Sequence, residues 1–205
     1  DFTACSTVTV PDRSYDICIK GSCQSPGCGT AACNAPGPHF TLADTNQRLC
    51  YNASTSMTCA TSGQAFYGQD AQYGWDVTHA ATLRFTRNTS VPNYPVVTDN
   101  VTTRIWQGCA AGLTGDACVT GTASTMTWDA ALAYCDSLSW GGYTDWRLPD
   151  PYELDSIVDL GRYSPSIDFT AFPATPSSYF WSSSSYASNG GYAWSVHFGD
   201  GGVDN

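Results

Sequence analysis

Two groups of side chains in this sequence could carry acid–base or nucleophilic chemistry. The first is the run Asp145-Trp146-Arg147-Leu148-Pro149, with Glu153 shortly after it, which combines charges with an aromatic ring. A structural role fits these residue types better than catalysis, because Arg147 can bind loop carbonyls or a carboxylate while Trp146 packs in the core. We therefore expect Glu153 to cap a helix or to pair with Arg147 rather than to act as a catalytic acid.

The second group is Trp181 with the four serines that follow it, which invites a serine-nucleophile interpretation. Such a nucleophile needs a base, and many serine hydrolases place it in a Gly-x-Ser-x-Gly turn that is absent here. The only histidines are His39, His79 and His197. Because His197 is predicted to lie on the polar face of a strand, the pattern does not support a serine hydrolase.

Ten cysteines are the second strong signal in the sequence. An even number in a weakly charged chain is typical of disulfides formed in an oxidising compartment. We predict that Cys50 and Cys59 bridge a short hairpin and that Cys109 and Cys118 pair across a Gly-rich loop. A zinc or iron–sulfur site is less favoured, because Cys-x2-Cys knuckles are absent. The ten disulfide candidates are Cys5, Cys18, Cys23, Cys28, Cys33, Cys50, Cys59, Cys109, Cys118 and Cys135.

The charge balance excludes one class of partner. The net charge is −10 and only eight side chains are basic, whereas nucleic-acid binding needs clustered Lys and Arg, so we expect no nucleic-acid partner. Sulfated glycans and anionic lipids are disfavoured for the same reason. No apolar run is long enough to span a bilayer, so we expect no membrane insertion. We predict a secreted or cell-surface protein.

Two acidic turns could offer oxygen ligands to Ca²⁺: Asp99-Asn100 and Asp200-Gly201-Gly202-Val203-Asp204. Neither has the alternating ligand pattern of a calcium loop, and turn formation explains both. We predict no metal site and no cofactor, with calcium kept as the alternative.

The composition changes near residue 40 and divides the chain into two predicted parts. Residues 1–40 form a cysteine-rich N-terminal arm, in which four cysteines are evenly spaced within a Gly/Ser/Pro-rich stretch. Pro36-Gly37-Pro38 is typical of a hinge or boundary. Residues 41–205 then form the main domain.

Two helices are predicted in the main domain. The first is capped by Thr127 and ends at Trp140-Gly141-Gly142. Its buried face is predicted from helical spacing: Trp128, Ala131, Leu132, Cys135 and Leu138. The second helix has Asp150 at its N-cap, followed by Pro151 and Glu153, which is a capping arrangement. Its apolar side is formed by Leu154, Ile157 and Val158, and Gly161 ends it.

The C-terminal part predicts β-structure. Tyr192, Trp194, Val196 and Phe198 alternate with Ala193, Ser195 and His197, so we expect the first set to be buried and the second to be polar-facing. The stretch from Gly199 to Gly202 then turns the chain, and we expect no returning strand after it.

Taken together, these motifs resemble the DUF1566 family, also called the Lcl C-terminal domain family after a collagen-like adhesin. The similarity covers about residues 45–200. It rests on Asp145-Trp-Arg-Leu-Pro149, Ala193-Trp-Ser-Val-His-Phe-Gly-Asp200 and several single positions. The structural motif residues are Trp128, Cys135, Trp146, Arg147, Pro149, Glu153, Trp181 and Trp194. The resemblance implies an α+β, C-type-lectin-like fold with two helices and a twisted, mainly antiparallel sheet.

The resemblance also implies features that this sequence lacks. The family closes with a strand carrying a Val-Arg-Cys-type motif, whose cysteine is the natural partner of Cys135; the domain therefore resembles one without its last strand, and Cys135 is left unpaired or differently paired. The family is related to the formylglycine-generating enzymes, whose oxidase activity uses late cysteines. No cysteine follows Cys135, so we do not expect that activity.

We therefore expect a non-enzymatic recognition or adhesion domain that binds a glycan or a protein through loops around residues 184–200. Tyr179, Tyr186, Tyr192 and Trp194 are expected to cluster there, because aromatic rings with nearby amides and hydroxyls suit sugars or proteins. The candidate ligand-binding residues are Tyr186, Asn189, Tyr192, His197 and Asp200. The alternative is a structural subunit of an extracellular filament or surface assembly, which contacts copies of itself through the arm or the open hairpin.

Overall fold

The computed structural model describes residues 45–72 and 84–205. The predicted N-terminal arm, with its five cysteines, lies outside the described residues, as do His39 and His79. The prediction of a separate arm therefore stays a prediction.

Within the described residues the fold is mixed α+β, with two α-helices and ten short strands. The helices are α1 (Trp128–Asp136) and α2 (Pro151–Asp155). The strands are β1 (Cys50–Tyr51), β2 (Ser56–Met57), β3 (Phe85–Asn88), β4 (Val96–Asp99), β5 (Ile105–Gln107), β6 (Leu113–Thr114), β7 (Thr120–Gly121), β8 (Tyr179–Ser185), β9 (Ala193–His197) and β10 (Gly202–Asp204).

The described strands form small antiparallel sheets. Two sheets have three strands each, in the orders β3-β4-β5 and β10-β9-β8, and the pairs β1-β2 and β6-β7 form two-stranded hairpins. The prediction of α+β structure with mainly antiparallel pairing is confirmed. The single twisted sheet that the resemblance implied is replaced by separate small sheets.

The main apolar core lies between the two three-stranded sheets and α2. It contains Val97 of β4, Leu154 of α2, and Val196 and Phe198 from the β9 region, all at most 5% exposed. Phe180 packs edge-to-face on Phe198, with ring centroids 5.1 Å apart. Burying each such aliphatic or aromatic side chain contributes about 1.5–3 kcal/mol, so burial of this cluster stabilises the domain.

Both disulfides predicted for the described residues are confirmed. Cys50–Cys59 closes the β1-β2 hairpin, and Cys109–Cys118 closes the loop that contains β6. The second loop is tied to the sheet by Arg87 of β3, which donates to carbonyl oxygens of Gly108 at 2.8 Å and Asp116 at 2.7 Å. Burial lowers the pKa of Arg87, and these carbonyl contacts compensate the desolvated charge.

The helix α1 begins where the sequence predicts but ends earlier. Thr127 occupies the N-cap position without a capping hydrogen bond from its side chain, and the helix ends at Asp136 rather than near Trp140. The indole of Trp140 donates to the carbonyl of Pro95 at 2.6 Å and is only 5% exposed. Because this tertiary contact places Trp140 against β4, the helix cannot continue to it. Gly141 has a positive φ of 60° in the turn that follows.

The helix α2 confirms the predicted capping arrangement but is short. Asp150 accepts a hydrogen bond from the backbone of Glu153 at 2.8 Å, and the Glu153 carboxylate accepts one from the Asp150 backbone at 2.9 Å. The prediction that the helix extends to Gly161 is wrong. Val158 instead forms a β-bridge with Ile167, which keeps it buried without a helix.

Two predictions for the last strands are also wrong. Tyr192 is 55% exposed, whereas Ala193 and Ser195, predicted to face outward, are buried. β9 is the central strand of its sheet, and both of its faces are covered over much of its length. Gly202–Asp204 forms β10, which pairs with β9, so the turn does have a returning strand.

Candidate binding surface

The charged segment before α2 is bonded internally. Arg147 makes two hydrogen bonds to the Glu153 carboxylate, at 2.7 and 2.6 Å, and Arg104 contacts the same carboxylate at 2.9 Å. Arg147, followed by the Asp150 backbone and Arg104, lowers the pKa of Glu153 against the opposing effect of burial. A carboxylate held ionised by two cations is a poor general acid, so this geometry supports a structural role.

The rest of that segment joins the helices to β8. Trp146 is half-buried, and its indole donates to the carbonyl of Trp140 at 3.3 Å. The carbonyl of Pro149 accepts a hydrogen bond from the backbone of Ser183 at 2.7 Å. The predicted pairing of Arg147 with a carboxylate is observed, whereas Trp146 lies at the margin of the core rather than fully inside it.

The serines after Trp181 form an irregular part of β8. Trp181 pairs with Ser195 and Ser185 with Ala193, so β8 contains two more residues than β9 over this interval. Ser182 is fully buried, and its carbonyl accepts the indole N–H of Trp128 at 2.8 Å. The serine run is therefore a bulge that presents backbone groups to neighbouring elements.

The loop between β8 and β9 carries an aromatic surface, which we call the hairpin tip: residues 186–192 together with Trp194. The rings of Tyr186 and Trp194 meet edge-to-face at 5.6 Å. Tyr186 and Tyr192 are joined by a backbone hydrogen bond of 2.9 Å, and Asn189 bonds to both of these residues through its backbone. The Asn189 side-chain oxygen accepts from Gly191 at 3.0 Å. These bonds hold the exposed ring of Tyr192 and the half-buried rings of Tyr186 and Trp194 on an ordered turn.

The hairpin tip belongs to a stretch without charged side chains. Residues 169–199 contain no Asp, Glu, Lys or Arg, although the chain as a whole has a net charge of −10. A ligand at the tip therefore meets no charged side chain of this stretch. Binding an uncharged ligand there does not require water to be removed from a charged group, which would be costly.

His197 and Asp200 lie at the other end of the hairpin. Nδ1 of His197 is 2.8 Å from an Asp200 carboxylate oxygen, and the His197 ring packs against Tyr179 with centroids 4.4 Å apart. The hydrogen bond to His197, then one from the Gly202 backbone, lowers the pKa of Asp200.

The predicted binding residues are thus divided between two places. Tyr186, Asn189 and Tyr192 are together at the tip. Five residues of extended chain separate Tyr192 from His197, which is roughly 16 Å at about 3.3 Å per residue. Tyr179 pairs with His197 in the strand register, so the expectation that it joins the tip tyrosines is wrong.

Within the part of the chain that the structure describes, no group of three or more acidic, His or Cys side chains is placed to hold an ion. Asp99 is fully buried and accepts hydrogen bonds from Arg84 at 3.2 Å and from the hydroxyl of Thr102 at 2.9 Å. These donors occupy the carboxylate that a cation would need.

Cys135 is the one cysteine among residues 45–72 and 84–205 without a disulfide partner. It is half-buried on α1, and burial raises the pKa of its thiol. A raised pKa disfavours the thiolate, which is the reactive form.

The sequence model of the Lcl C-terminal domain family matches residues 95–205, more than half of the chain. The protein belongs to this family, which is also DUF1566. The match includes both helices, the Arg147–Glu153 pair and the hairpin tip of this Lcl C-terminal domain. It does not include residues 45–94, to which the resemblance noted in the sequence also extended.

The other two comparisons give no relatives for this Lcl C-terminal domain, since no curated protein and no solved structure matches the chain. Within the described residues, no helix has the length and apolarity needed to cross a bilayer. The two disulfides are compatible with an oxidising, extracellular location.

Proposed function

We propose that the protein is a non-enzymatic, extracellular recognition domain that binds a glycan or a protein surface through the hairpin tip. The observation that carries this proposal is the exposure of Tyr192 beside the Tyr186–Trp194 ring pair on a turn with its own hydrogen bonds. Rigid aromatic rings give contact area with little loss of conformational entropy on binding.

An uncharged glycan is the ligand that these groups fit best. Sugar rings have C–H faces that pack on aromatic rings and hydroxyls that bind amides. The side-chain Nδ2 of Asn189 makes no hydrogen bond to any described residue and is exposed, so it can donate to a ligand oxygen. Sulfated glycans are disfavoured, because the chain is acidic and the tip has no basic side chain.

The proposal includes a C-type-lectin-like architecture for the domain and a location outside the cell. Two helices combined with small antiparallel sheets and long loops support the architecture. The disulfides Cys50–Cys59 and Cys109–Cys118 support the location, since such bonds persist in oxidising compartments.

Glycan-array binding of the intact protein tests the function. We expect binding to a subset of uncharged glycans, which Tyr192→Ala reduces roughly tenfold or more. Tyr152→Ala is the matched control, because Tyr152 is an 85% exposed tyrosine on α2 and is not part of the tip. Equal binding by the two variants, or binding restricted to sulfated glycans, would argue against the tip as the binding surface.

A structural role in an extracellular assembly is the second candidate, and it is favoured by the open edge of β10. All three residues of this outer strand are exposed, and no strand of residues 45–72 or 84–205 pairs with its outer side, so its backbone could accept a strand from a second copy. Light scattering across a range of protein concentrations tests this role. A concentration-dependent oligomer that Val203→Pro abolishes supports it, and a monomer at every concentration contradicts it.

A further inference from the structure

A second surface of the protein has features that suit a ligand of a different kind. A cavity of about 820 Å³ opens between β5, β8, α1 and α2. Its lining includes Leu154, Phe172 and Phe198 of the main core, each at most 5% exposed to solvent. The cavity therefore reaches from the surface to the core, and we call it the edge groove.

The edge groove is bordered by the outer strands of two different sheets. β5 ends the order β3-β4-β5, and β8 ends the order β10-β9-β8. All three residues of β5 and the first three residues of β8, Tyr179 to Trp181, line this cavity. Within the described residues, each strand has a partner strand on one side only, so the outer edge of each faces no other strand.

The register of each sheet shows which backbone groups lie on the unpaired edge. The backbone N–H of Asp99 donates to the carbonyl of Arg104, and the backbone N–H of Gly108 donates to the carbonyl of Pro95. The backbone groups of successive residues in β5 therefore point alternately toward β4 and away from it. By this alternation the amide and carbonyl of Ile105 and Gln107 point away from β4.

The same reasoning applies to β8. Phe198 donates to the carbonyl of Ser178 at 2.9 Å, so Tyr179 and Trp181 direct their backbone groups away from β9. Among the described residues, the outward backbone groups of Ile105, Gln107, Tyr179 and Trp181 make no backbone hydrogen bond. Further along β8, the Ser183 amide donates to the carbonyl of Pro149, so the unpaired part of that edge is Tyr179 to Trp181. Unpaired edges of this kind are templates for strand addition.

The charges of the groove restrict the occupant. Its lining carries two cations, Arg104 and Arg147, and two acids, Asp145 and Glu153, so the groove is neutral although the whole chain is acidic. The floor of the groove, where Leu154, Phe172 and Phe198 line it, is apolar. A segment with little charge, and with apolar side chains at alternate positions facing the floor, is complementary to both features.

We propose that the edge groove binds an extended, uncharged peptide strand of another polypeptide, which pairs with β5 on one side and β8 on the other. The result is a continuous sheet in the order β3-β4-β5-peptide-β8-β9-β10. A small apolar ligand or a helix could cover the floor, but only an extended backbone also provides hydrogen-bonding partners for both edges. This site is separate from the hairpin tip and does not depend on it.

The probe is a phage-displayed library of random peptides, selected on the intact protein and then synthesised as free peptides. We expect selected sequences with alternating apolar residues and few charges. In hydrogen-exchange measurements they should protect the amides of Ile105, Gln107, Tyr179 and Trp181. A selection that yields no binder, or binders that leave these amides unprotected, overturns the proposal.

N-methylated peptides make the test sharper without altering the protein. Methylating alternate backbone nitrogens removes donors from one edge of the peptide at a time while keeping every side chain. Pairing on both sides predicts that each of the two methylated series binds roughly tenfold or more weakly. Loss in one series alone contradicts pairing on both sides, and loss in neither contradicts strand pairing.

A variant pair locates the site on the protein. Ile105→Pro removes an outward amide from β5, where proline is tolerated because that N–H is not used in the ladder. Val203→Pro makes the corresponding change on the outer edge of β10, at the opposite side of the second sheet. We expect Ile105→Pro to weaken peptide binding and Val203→Pro and Tyr192→Ala to leave it unchanged. Equal loss in Ile105→Pro and Val203→Pro would place binding elsewhere.

Discussion

The segment from Asp145 to Glu153 and the hairpin tip are both rich in groups that could bind a ligand. In the segment these groups are bonded to other parts of the protein, whereas at the tip an aromatic ring is exposed to solvent. In the first, Glu153 is 7% exposed and is bonded to Arg147, Arg104 and the Asp150 backbone. At the tip, Tyr192 is 55% exposed, and hydrogen bonds within the loop hold the backbone while this ring remains accessible.

This difference separates residues that build the domain from residues that can act on another molecule. A buried carboxylate with several donors stabilises its surroundings, and removing it leaves other polar groups without partners. An exposed aromatic ring contributes little to folding and keeps its surface for a ligand. Changes in the first region should therefore alter stability, and changes in the second should alter binding.

The largest effect is expected for Glu153→Gln. The change removes the charge that pairs with two arginines and weakens the capping box, so the free energy of unfolding should fall by about 2–4 kcal/mol. Urea denaturation measures this loss, with Asp145→Asn as the control, since Asp145 is an exposed acid of the same segment. If the two variants are equally stable, the Arg147–Glu153 pair does not stabilise the domain.

The pH dependence of stability should report on the same carboxylate. Hydrogen bonds from Arg147 lower the pKa of Glu153 in the folded protein, whereas in the unfolded chain it lies near 4.3. A group with a lowered folded pKa contributes stability above its unfolded pKa, and that contribution is lost as the pH falls through the folded pKa. We expect the stability gap between the wild type and Glu153→Gln to narrow below about pH 4.3 in acid titrations followed by urea denaturation. A stability difference that does not change with pH would show that the substitution acts through something other than the loss of the Glu153 charge.

A smaller effect on stability is expected for Trp194→Ala. Trp194 is half-buried, and its ring centroid lies 5.6 Å from that of Tyr186. Its removal should lower the free energy of unfolding by about 1–2 kcal/mol and disorder the tip. Trp194→Phe keeps an aromatic ring and should restore most of that loss. Thermal unfolding followed by circular dichroism distinguishes the two variants, and equal destabilisation by both would show that the ring contact is not the important interaction.

The smallest effect on stability, with a large effect on binding, is expected for Tyr192→Ala. An exposed ring that lies outside both core clusters should change the free energy of unfolding by at most about 0.5 kcal/mol. Urea denaturation alongside the glycan-array measurement tests both halves of the prediction. A marked loss of stability would show that Tyr192 stabilises the fold, and the tip would then not differ in role from the segment Asp145 to Glu153.

Features encoded by short stretches of sequence were predicted well. The cysteine spacing predicted Cys50–Cys59 and Cys109–Cys118, and the Asp150…Glu153 pattern predicted the capping box, because each involves groups only a few residues apart. The family resemblance was confirmed for residues 95–205.

Features that depend on distant contacts were predicted poorly. α1 ends at Asp136 because Trp140 bonds to Pro95, which is far away in the sequence. The predicted alternation failed at Ala193 and Ser195 because both faces of β9 are covered there, and at Tyr192 because that residue belongs to the exposed loop before the strand. The bulge in β8 forms because its serines bond to Pro149 and Trp128.

The sequence by itself determined the local elements of this protein: the two disulfides, the starts of both helices and the uncharged character of the late hairpin. Each follows from residue type and short spacing, which fix local conformation and local bonding. Only the tertiary structure decided that Arg104 joins Arg147 at the Glu153 carboxylate, that His197 lies apart from the tip tyrosines, and that β5 and β8 border one groove. These outcomes depend on which distant surfaces are buried together, and that is a property of the packed chain rather than of any single segment.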